Sequence, residues 1–297
     1  MVKKLLYFFL LPAILNGKVP SFDKHHAFMY LQTQCEFGPR IPGTKGHSAC
    51  LKFLVEELRK KTPHVVEQSF LGSVPLEKKT ARLTNVIASF EPSKKPRILL
   101  CAHWDTRAHA DFDPNPLNRK KPVPGANDGA SGTAVLLELA CIFKKTPPPV
   151  GVDLVLFDGE DNGVEGDIST WCLGSRHFAT TFYSQKPIPF PQYAILIDMI
   201  GDRELIIPVE INSKRYAPDL VEKIWQKAKM LSFSAFSFSQ THEVIDDHLE
   251  LLKVGIPAAD LIDLDYPYWH TTEDTPDKCS PESLYVIGTL LLHLLYE

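Results

Sequence analysis

The spacing of apolar residues along the chain switches several times between two regimes. Between His25 and Leu58 they recur at helical intervals on either side of the loop FGPRIPGT, which predicts two helices around a Gly/Pro turn. Val65–Phe70 and Leu83–Phe90 are rich in β-formers and read as strands. RILLCA (97–102), VDLVLF (152–157) and AILIDM (194–199) are short, nearly continuous apolar runs, the pattern of strands covered on both faces. Helices are predicted over Gly132–Lys144, Pro218–Met230 and Glu282–Tyr296, with a helical turn at Leu249–Val254 and a further strand at Ala258–Leu264. A Ser/Phe stretch follows Met230, and Thr241–His248 reads as a loop. Strands and helices in alternation predict an α/β fold with a mixed, mostly parallel central sheet flanked by helices on both faces. No repeat, low-complexity tract or linker divides the chain, so residues 18–297 are expected to form a single domain.

Composition narrows the function classes. With 297 residues, 44% of them hydrophobic, the chain can bury a sizeable core and is not intrinsically disordered. Its 32 basic and 36 acidic residues leave no positive surplus, which argues against a nucleic-acid partner. Met1-Val2-Lys3-Lys4 followed by the apolar run Leu5–Leu15 and Asn16-Gly17 matches a secretory signal peptide over residues 1–17. That run falls short of the roughly 20 apolar residues a membrane span needs, so a secreted or periplasmic product without a span is expected. The six cysteines permit bridges in such a product. Cys35 and Cys50 flank one turn-rich segment and could close it, whereas Cys101 and Cys141 lie in apolar patterns and read as buried thiols.

Polar residues with chemical potential cluster where the buried strands end, which is where open α/β sheets place ligands. RILLCA runs into His103-Trp104-Asp105, and VDLVLF into Asp158-Gly159-Glu160-Asp161. AILIDM carries Asp198, the strand near Ala258 leads towards His270, and Asn127-Asp128-Gly129 precedes a helix. Taken singly, Asp128 could be a helix cap and Glu160-Asp161 a solvated turn. Their coincidence at the ends of several strands makes a set of carboxylates and imidazoles suited to a zinc-type ion. Adjacent Glu160 and Asp161 suggest that one binds the ion while the other moves protons.

The segments AHWDT (102–106), PGANDGASGTAVLLELA (124–140), FDGED (157–161), LGSRHFA (173–179), LIDMIGD (196–202), IDDH (245–248) and PYWHTTEDTPD (267–277) resemble the M28 zinc-peptidase superfamily. The likeness spans roughly residues 25–295 and is strongest to its glutaminyl cyclase branch, especially the bacterial members of the animal type. It implies the fold of the zinc aminopeptidases, with one Zn²⁺ per chain held by Asp128, Asp161 and His270. Animal cyclases usually carry Glu at the position of Asp161. The resemblance further implies Glu160 as proton shuttle, with Asp198 and Asp246 as supporting catalytic acids. Trp269, Trp104, Asp105 and His103 are implied as substrate-binding residues. Two departures stand out. The animal enzymes' bridge beside the first His motif has no counterpart here near Cys101. The segment NGVEGDISTWCLGS also differs from the animal pattern and leaves the role of Trp171 open.

The implied reaction converts an N-terminal Gln of a peptide or protein to pyroglutamate with loss of ammonia, and the implied state is monomeric. A two-zinc aminopeptidase using His103, Asp128, Asp161, Asp198 and His270, with Glu160 activating water, is not vetoed, because every one of those positions is filled. A non-catalytic receptor-like domain on the same fold fits less well, since the shuttle acid and all three ligands are retained.

Overall fold

The structure, a computed structural model, describes residues 19–186 and 188–297. The expected signal peptide falls within residues 1–18 and lies outside the described residues. Two helices open the fold, α1 (Lys24–Glu36) and α2 (Lys45–Arg59). Asp23 and Thr44 begin them, each side chain accepting hydrogen bonds from first-turn backbone N–H groups that have no helical partner. Strands β1 (Val65–Val74) and β2 (Lys79–Phe90) form an antiparallel hairpin. Then follow β3 (Arg97–His103), α3 (Ala130–Lys145), β4 (Gly151–Phe157), α4 (Leu173–Gln185) and β5 (Tyr193–Asp198). The C-terminal part adds β6 (Ile207–Glu210), α5 (Ile211–Tyr216), α6 (Pro218–Met230), β7 (Phe236–His242), α7 (Asp247–Lys253), β8 (Ala258–Ile262) and α8 (Pro281–Tyr296).

Six strands make one mixed sheet in the order β1-β2-β4-β3-β5-β8. β4, β3, β5 and β8 run parallel, while β1 and β2 complete the sheet by antiparallel pairing. Along β3 the side chains alternate faces as strand geometry requires. Ile98, Leu100 and Ala102 join the larger core with residues of α1, α2, α3, α6 and α8. Leu99 and Cys101 join the smaller core with Phe178 and Phe182 of α4 and Leu251 of α7. Both faces are therefore covered, which explains the unbroken apolar runs of β3, β4 and β5. Among the described residues, no helix is long and apolar enough to cross a membrane.

Three local expectations need correction. α4 was not foreseen, because LGSRHFATTFYSQ buries a narrow face built on Phe178, Ala179 and Phe182 amid polar residues. β7 covers part of the Ser/Phe stretch, which had no assignment, and the first two residues of the expected loop; among the described residues it pairs with β6, and most of its side chains stay in solvent, so no apolar alternation marks it. Cys35 and Cys50 are free thiols, as are the other four cysteines. Both pack against the main core, and the turn between them is held by Arg40 instead, as described below.

Leu100 is the apolar centre of the middle strand. Leu100→Ala should lower the unfolding free energy by about 2–5 kcal/mol, read as a shift in the denaturant midpoint.

Candidate active site and metal centre

Because β3, β4, β5 and β8 are parallel, their C-terminal ends share one edge, and the polar clusters collect there. His103 ends β3, Asp198 ends β5, the turn after β4 carries Glu160 and Asp161, and the loop after β8 delivers His270. Asp128 arrives from the long loop between β3 and α3. It stands at the centre of two buried trios, Asp128–Asp161–His270 and His103–Asp128–Asp198, in each of which the donor atoms lie within 4.8 Å of one another. His270 Nε2 is 3.1 Å from Asp161 Oδ1 and 3.6 Å from Asp128 Oδ2. His103 Nε2 is 3.0 Å from Asp128 Oδ1 and 3.1 Å from Asp198 Oδ1.

The electrostatics of this cluster favour either protonation or a bound cation. Burial, reinforced by neighbouring acids, raises Asp128, Asp161 and Glu160 above the ordinary carboxylate range. Both carboxylate oxygens of Asp161 are buried without a hydrogen-bond partner. Burial works against a charged imidazole at His270 and lowers it to about 4, so this ring is neutral and has a lone pair to give. At His103 burial acts in the same direction, but Asp198, Asp105 and Asp128 override it and raise the ring well above its usual value. Two carboxylates with a neutral imidazole are a donor set that fits a zinc-type ion, and the orphaned oxygens of Asp161 are the atoms such an ion would satisfy.

Buried side chains fix this geometry. Asp274 accepts from the backbone N–H groups of Asn127 (2.8 Å) and Asp128 (3.2 Å) and from the Tyr266 hydroxyl (2.8 Å), which sets the turn that aims Asp128. Arg40 donates to the carbonyls of Trp104, Pro124 and Gly125, tying the β3–α3 loop to the turn after α1. Arg107 reaches the Gly163 carbonyl at 3.1 Å and lies 3.5 Å from Asp161 Oδ1, while its guanidinium sits 4.7 Å from the Trp171 ring. Gly129 is obligatory, since a Cβ there would come within 2.5–2.7 Å of the His103 ring. His270 and Met199 both hold a left-handed backbone, at φ +53° and +45°, a strain that functional sites tolerate when the surroundings enforce it.

Beside the first trio lies a narrow cavity of about 50 Å³. Glu160, Asp198 and Asp246 form its polar side, and Trp171, Trp269, Val244, Ile245 and Leu264 its apolar side. It widens outward into a cleft that also touches Phe112, Glu165 and Ile168. Trp171 lies nearly parallel to the His270 ring (9°, centroids 6.2 Å apart) and its Nε1 donates to the Val164 carbonyl at 3.2 Å. It reaches this position across Gly163, where a Cβ would collide with the indole. Glu160 Oε1 accepts only a weak bond from the Cys172 thiol at 3.5 Å, so its carboxylate stays available to the cavity.

The structure separates the sequence-derived candidates. Asp128, Asp161 and His270 converge, and Glu160, Asp198, Asp246 and Trp269 face the cavity. Trp104 does not: it is fully buried, stacked on His47, with Nε1 donating to the Thr84 carbonyl. Asp105 and His103 lie beneath the site rather than in its wall. Asp105 Oδ1 accepts from the Glu160 N–H at 3.1 Å and sits 3.5 Å from His103 Nδ1. Trp171, whose role the sequence left open, takes the wall position in their place. Sequence reasoning missed Arg40, Arg107 and Asp274, whose only signal was a charged residue inside a loop, and Asp274 did stand within the PYWHTTEDTPD motif. It also missed the support behind Asp246, where His248 is buried between Glu210 (3.1 Å) and Asp260 (3.4 Å).

Residues 85–295 match the family model described as peptidase family M28. The chain belongs to that family. This M28 chain is 28% identical over 283 residues to a mouse protein named glutaminyl-peptide cyclotransferase-like protein, covering 87% of this chain and 72% of the mouse one. Among solved structures, the glutaminyl cyclase of Bacteroides thetaiotaomicron is 33% identical with a TM-score of 0.88, covering 94% of this chain and 99% of that one. A leucine aminopeptidase precursor from the same organism is 34% identical with a TM-score of 0.89, over 94% of this chain and 99% of its own.

Asp274→Ala should leave the chain folded but free the Asn127–Asp128 turn and weaken zinc binding about 10- to 100-fold, measured by competition with a chromogenic chelator. Gly129→Ala should displace the His103 ring and lower turnover further than its loss of stability accounts for, read from activity and thermal unfolding on the same preparation.

Proposed function

We propose that this chain is a zinc-dependent glutaminyl-peptide cyclotransferase, which closes an N-terminal Gln of a peptide or protein to pyroglutamate and releases ammonia. The observation that carries the reading is the cavity. It is narrow, walled by Trp171 and Trp269, has Glu160 on its floor, and sits directly against the Asp128–Asp161–His270 trio. A terminal side chain can enter this narrow part while the rest of the peptide lies in the wider cleft outside it. The named relatives among cyclotransferases and glutaminyl cyclases point the same way.

Asp128, Asp161 and His270 would hold one zinc ion, which supplies Lewis-acid polarisation of the γ-amide carbonyl. Trp269 and Trp171 flank the Gln side chain and hold it folded towards its own α-amine, so the reaction is intramolecular and depends mainly on orientation. Glu160 takes a proton from the attacking amine and delivers it to the departing nitrogen. Its raised proton affinity, set by burial and then by Asp246, suits a group that must both accept and return a proton near neutral pH. Asp246 and Asp198 line the same wall and hold the shuttle and the amide in register. Asp246 is itself fixed from behind by the backbone N–H of Asp247 at 2.5 Å.

A second reading, hydrolysis by a two-ion aminopeptidase, is favoured by one observation. The His103–Asp128–Asp198 trio is complete and shares Asp128 with the first. The named cyclotransferase and glutaminyl cyclase relatives weigh against it. With the apolar run at residues 5–15, the reading places the enzyme outside the cytoplasm, acting on exported peptides.

The purified protein should convert a Gln-initiated peptide to a product lighter by one ammonia, leave a Leu-initiated peptide intact, and lose the activity to a chelator. Release of a free amino acid with two zinc ions per chain would establish the aminopeptidase instead. Glu160→Gln should keep its zinc and lower kcat about 10²- to 10⁴-fold with little change in KM.

A further inference from the structure

A second group of metal-type donors lies away from the catalytic edge, where α1 crosses α3. His26, in the first turn of α1, faces Glu138 and Cys141, which are three apart on α3 and share one face of that helix. Their donor atoms all lie within 4.8 Å of one another, and His26 Nδ1 is 2.5 Å from Glu138 Oε2. Tyr30, one turn after His26, places its hydroxyl 3.3 Å from Cys141 Sγ and 3.3 Å from Glu57 Oε2. Burial raises the Glu138 carboxyl above its usual range. The catalytic reading uses none of these residues.

We infer that His26, Glu138 and Cys141 form a separate site for a borderline divalent cation of the zinc class, a clamp between α1 and α3. Imidazole, carboxylate and thiolate are the donors that such ions select, and the two anionic donors neutralise a dication. The Glu138 and Cys141 side chains are almost wholly buried, whereas the His26 side chain is 41% exposed. An ion can therefore reach the trio from the His26 side and keep a water as its fourth ligand there. Binding replaces the His26–Glu138 hydrogen bond with two metal bonds and a third to sulfur, and the Cys141 proton passes to solvent. The Tyr30 hydroxyl is placed to donate to the thiolate so formed, as partners outside the ligand set of a metal site usually do. Because α3 starts two residues after Asp128, the clamp would fasten the first described helix to the one leading out of the catalytic loop.

The catalytic trio has no sulfur, so a thiolate signal distinguishes the two sites. Adding Cd²⁺ to the zinc-loaded enzyme should produce the ultraviolet thiolate-to-cadmium band, saturating near one equivalent per chain. Cys141→Ser should abolish the band and His26→Gln weaken cadmium binding at least tenfold, and both variants should cyclise Gln peptides at the wild-type rate. Zinc beyond the first equivalent should raise Tm of the wild type and not of Cys141→Ser. No band at saturating Cd²⁺, or a band that survives Cys141→Ser, overturns the site. So does a band lost only in Cys172→Ser, which would trace the thiolate to the cysteine beside Glu160. Failure of the peptide assay would bear on the cyclase reading alone.

Discussion

The structure is organised around a concentration of negative charge that has been taken out of water. Asp128, Asp161, Asp198, Glu160 and Asp246 converge at one end of the parallel strands with only His103, His270 and Arg107 as local positive or neutral counterparts. Isolated carboxylates cannot be buried at such density without protonation or a cation, because desolvation exceeds what their few hydrogen bonds return. Holding them apart and aimed is therefore the main task of the surrounding scaffold. Asp274 holds the Asp128 turn, Arg107 the Asp161 turn, and Arg40 the loop that links them. The tight approach of Gly129 to His103 belongs to the same requirement.

Legibility in the sequence followed from how each residue earns its place. β3, β4 and β5 were readable because strands covered on both faces must be apolar throughout, and no other element of that length has the same pattern. α4 was not, since its partners need only Phe178, Ala179 and Phe182 from it. Asp128, Asp161 and His270 could be gathered as ligand candidates because strand ends concentrate function. Their pairing into one trio rested on the likeness to known families, as the chain distance between them carries no spacing rule. Trp104 misled for a related reason: it adjoins His103 in sequence, yet it continues the alternation of Ile98, Leu100 and Ala102, and its indole joins the larger core beside His47. Trp171 is the converse case. It lies in a segment with no periodicity and reaches the cavity only because Gly163 leaves room for its ring.

Asp128 belongs to two trios, and the histidines of the two are in different electrostatic surroundings. His103 Nε2 is within hydrogen-bonding distance of both Asp128 and Asp198, and the three surrounding acids favour its protonated form. A protonated imidazole carries the positive charge that a second ion would otherwise bring, and it has no lone pair to give. His270, with its depressed proton affinity, is in the opposite state. Two histidines at one carboxylate thus differ in their surroundings, His270 favouring the neutral ring and His103 the protonated one.

The same division bears on why cyclisation suits this pocket better than hydrolysis. A hydrolytic water must be held between metal and base, with space for the attacked carbonyl and the departing amine on either side. Here Trp171 and Trp269 approach the His270 ring from two directions, with Trp269 tilted at 4.1 Å and Trp171 parallel at 6.2 Å, and Val244, Ile245 and Leu264 close the remaining wall. Apolar walls of this kind suit the methylenes of a side chain and a substrate that brings its own nucleophile on the same residue. The α-amine of an N-terminal Gln meets that condition: folding the side chain back places amine and γ-carbonyl together, and Glu160 then needs to move one proton over a short distance. Glu160 and the two tryptophans are thus placed to serve the intramolecular reaction around a set of ligands that by themselves would serve either.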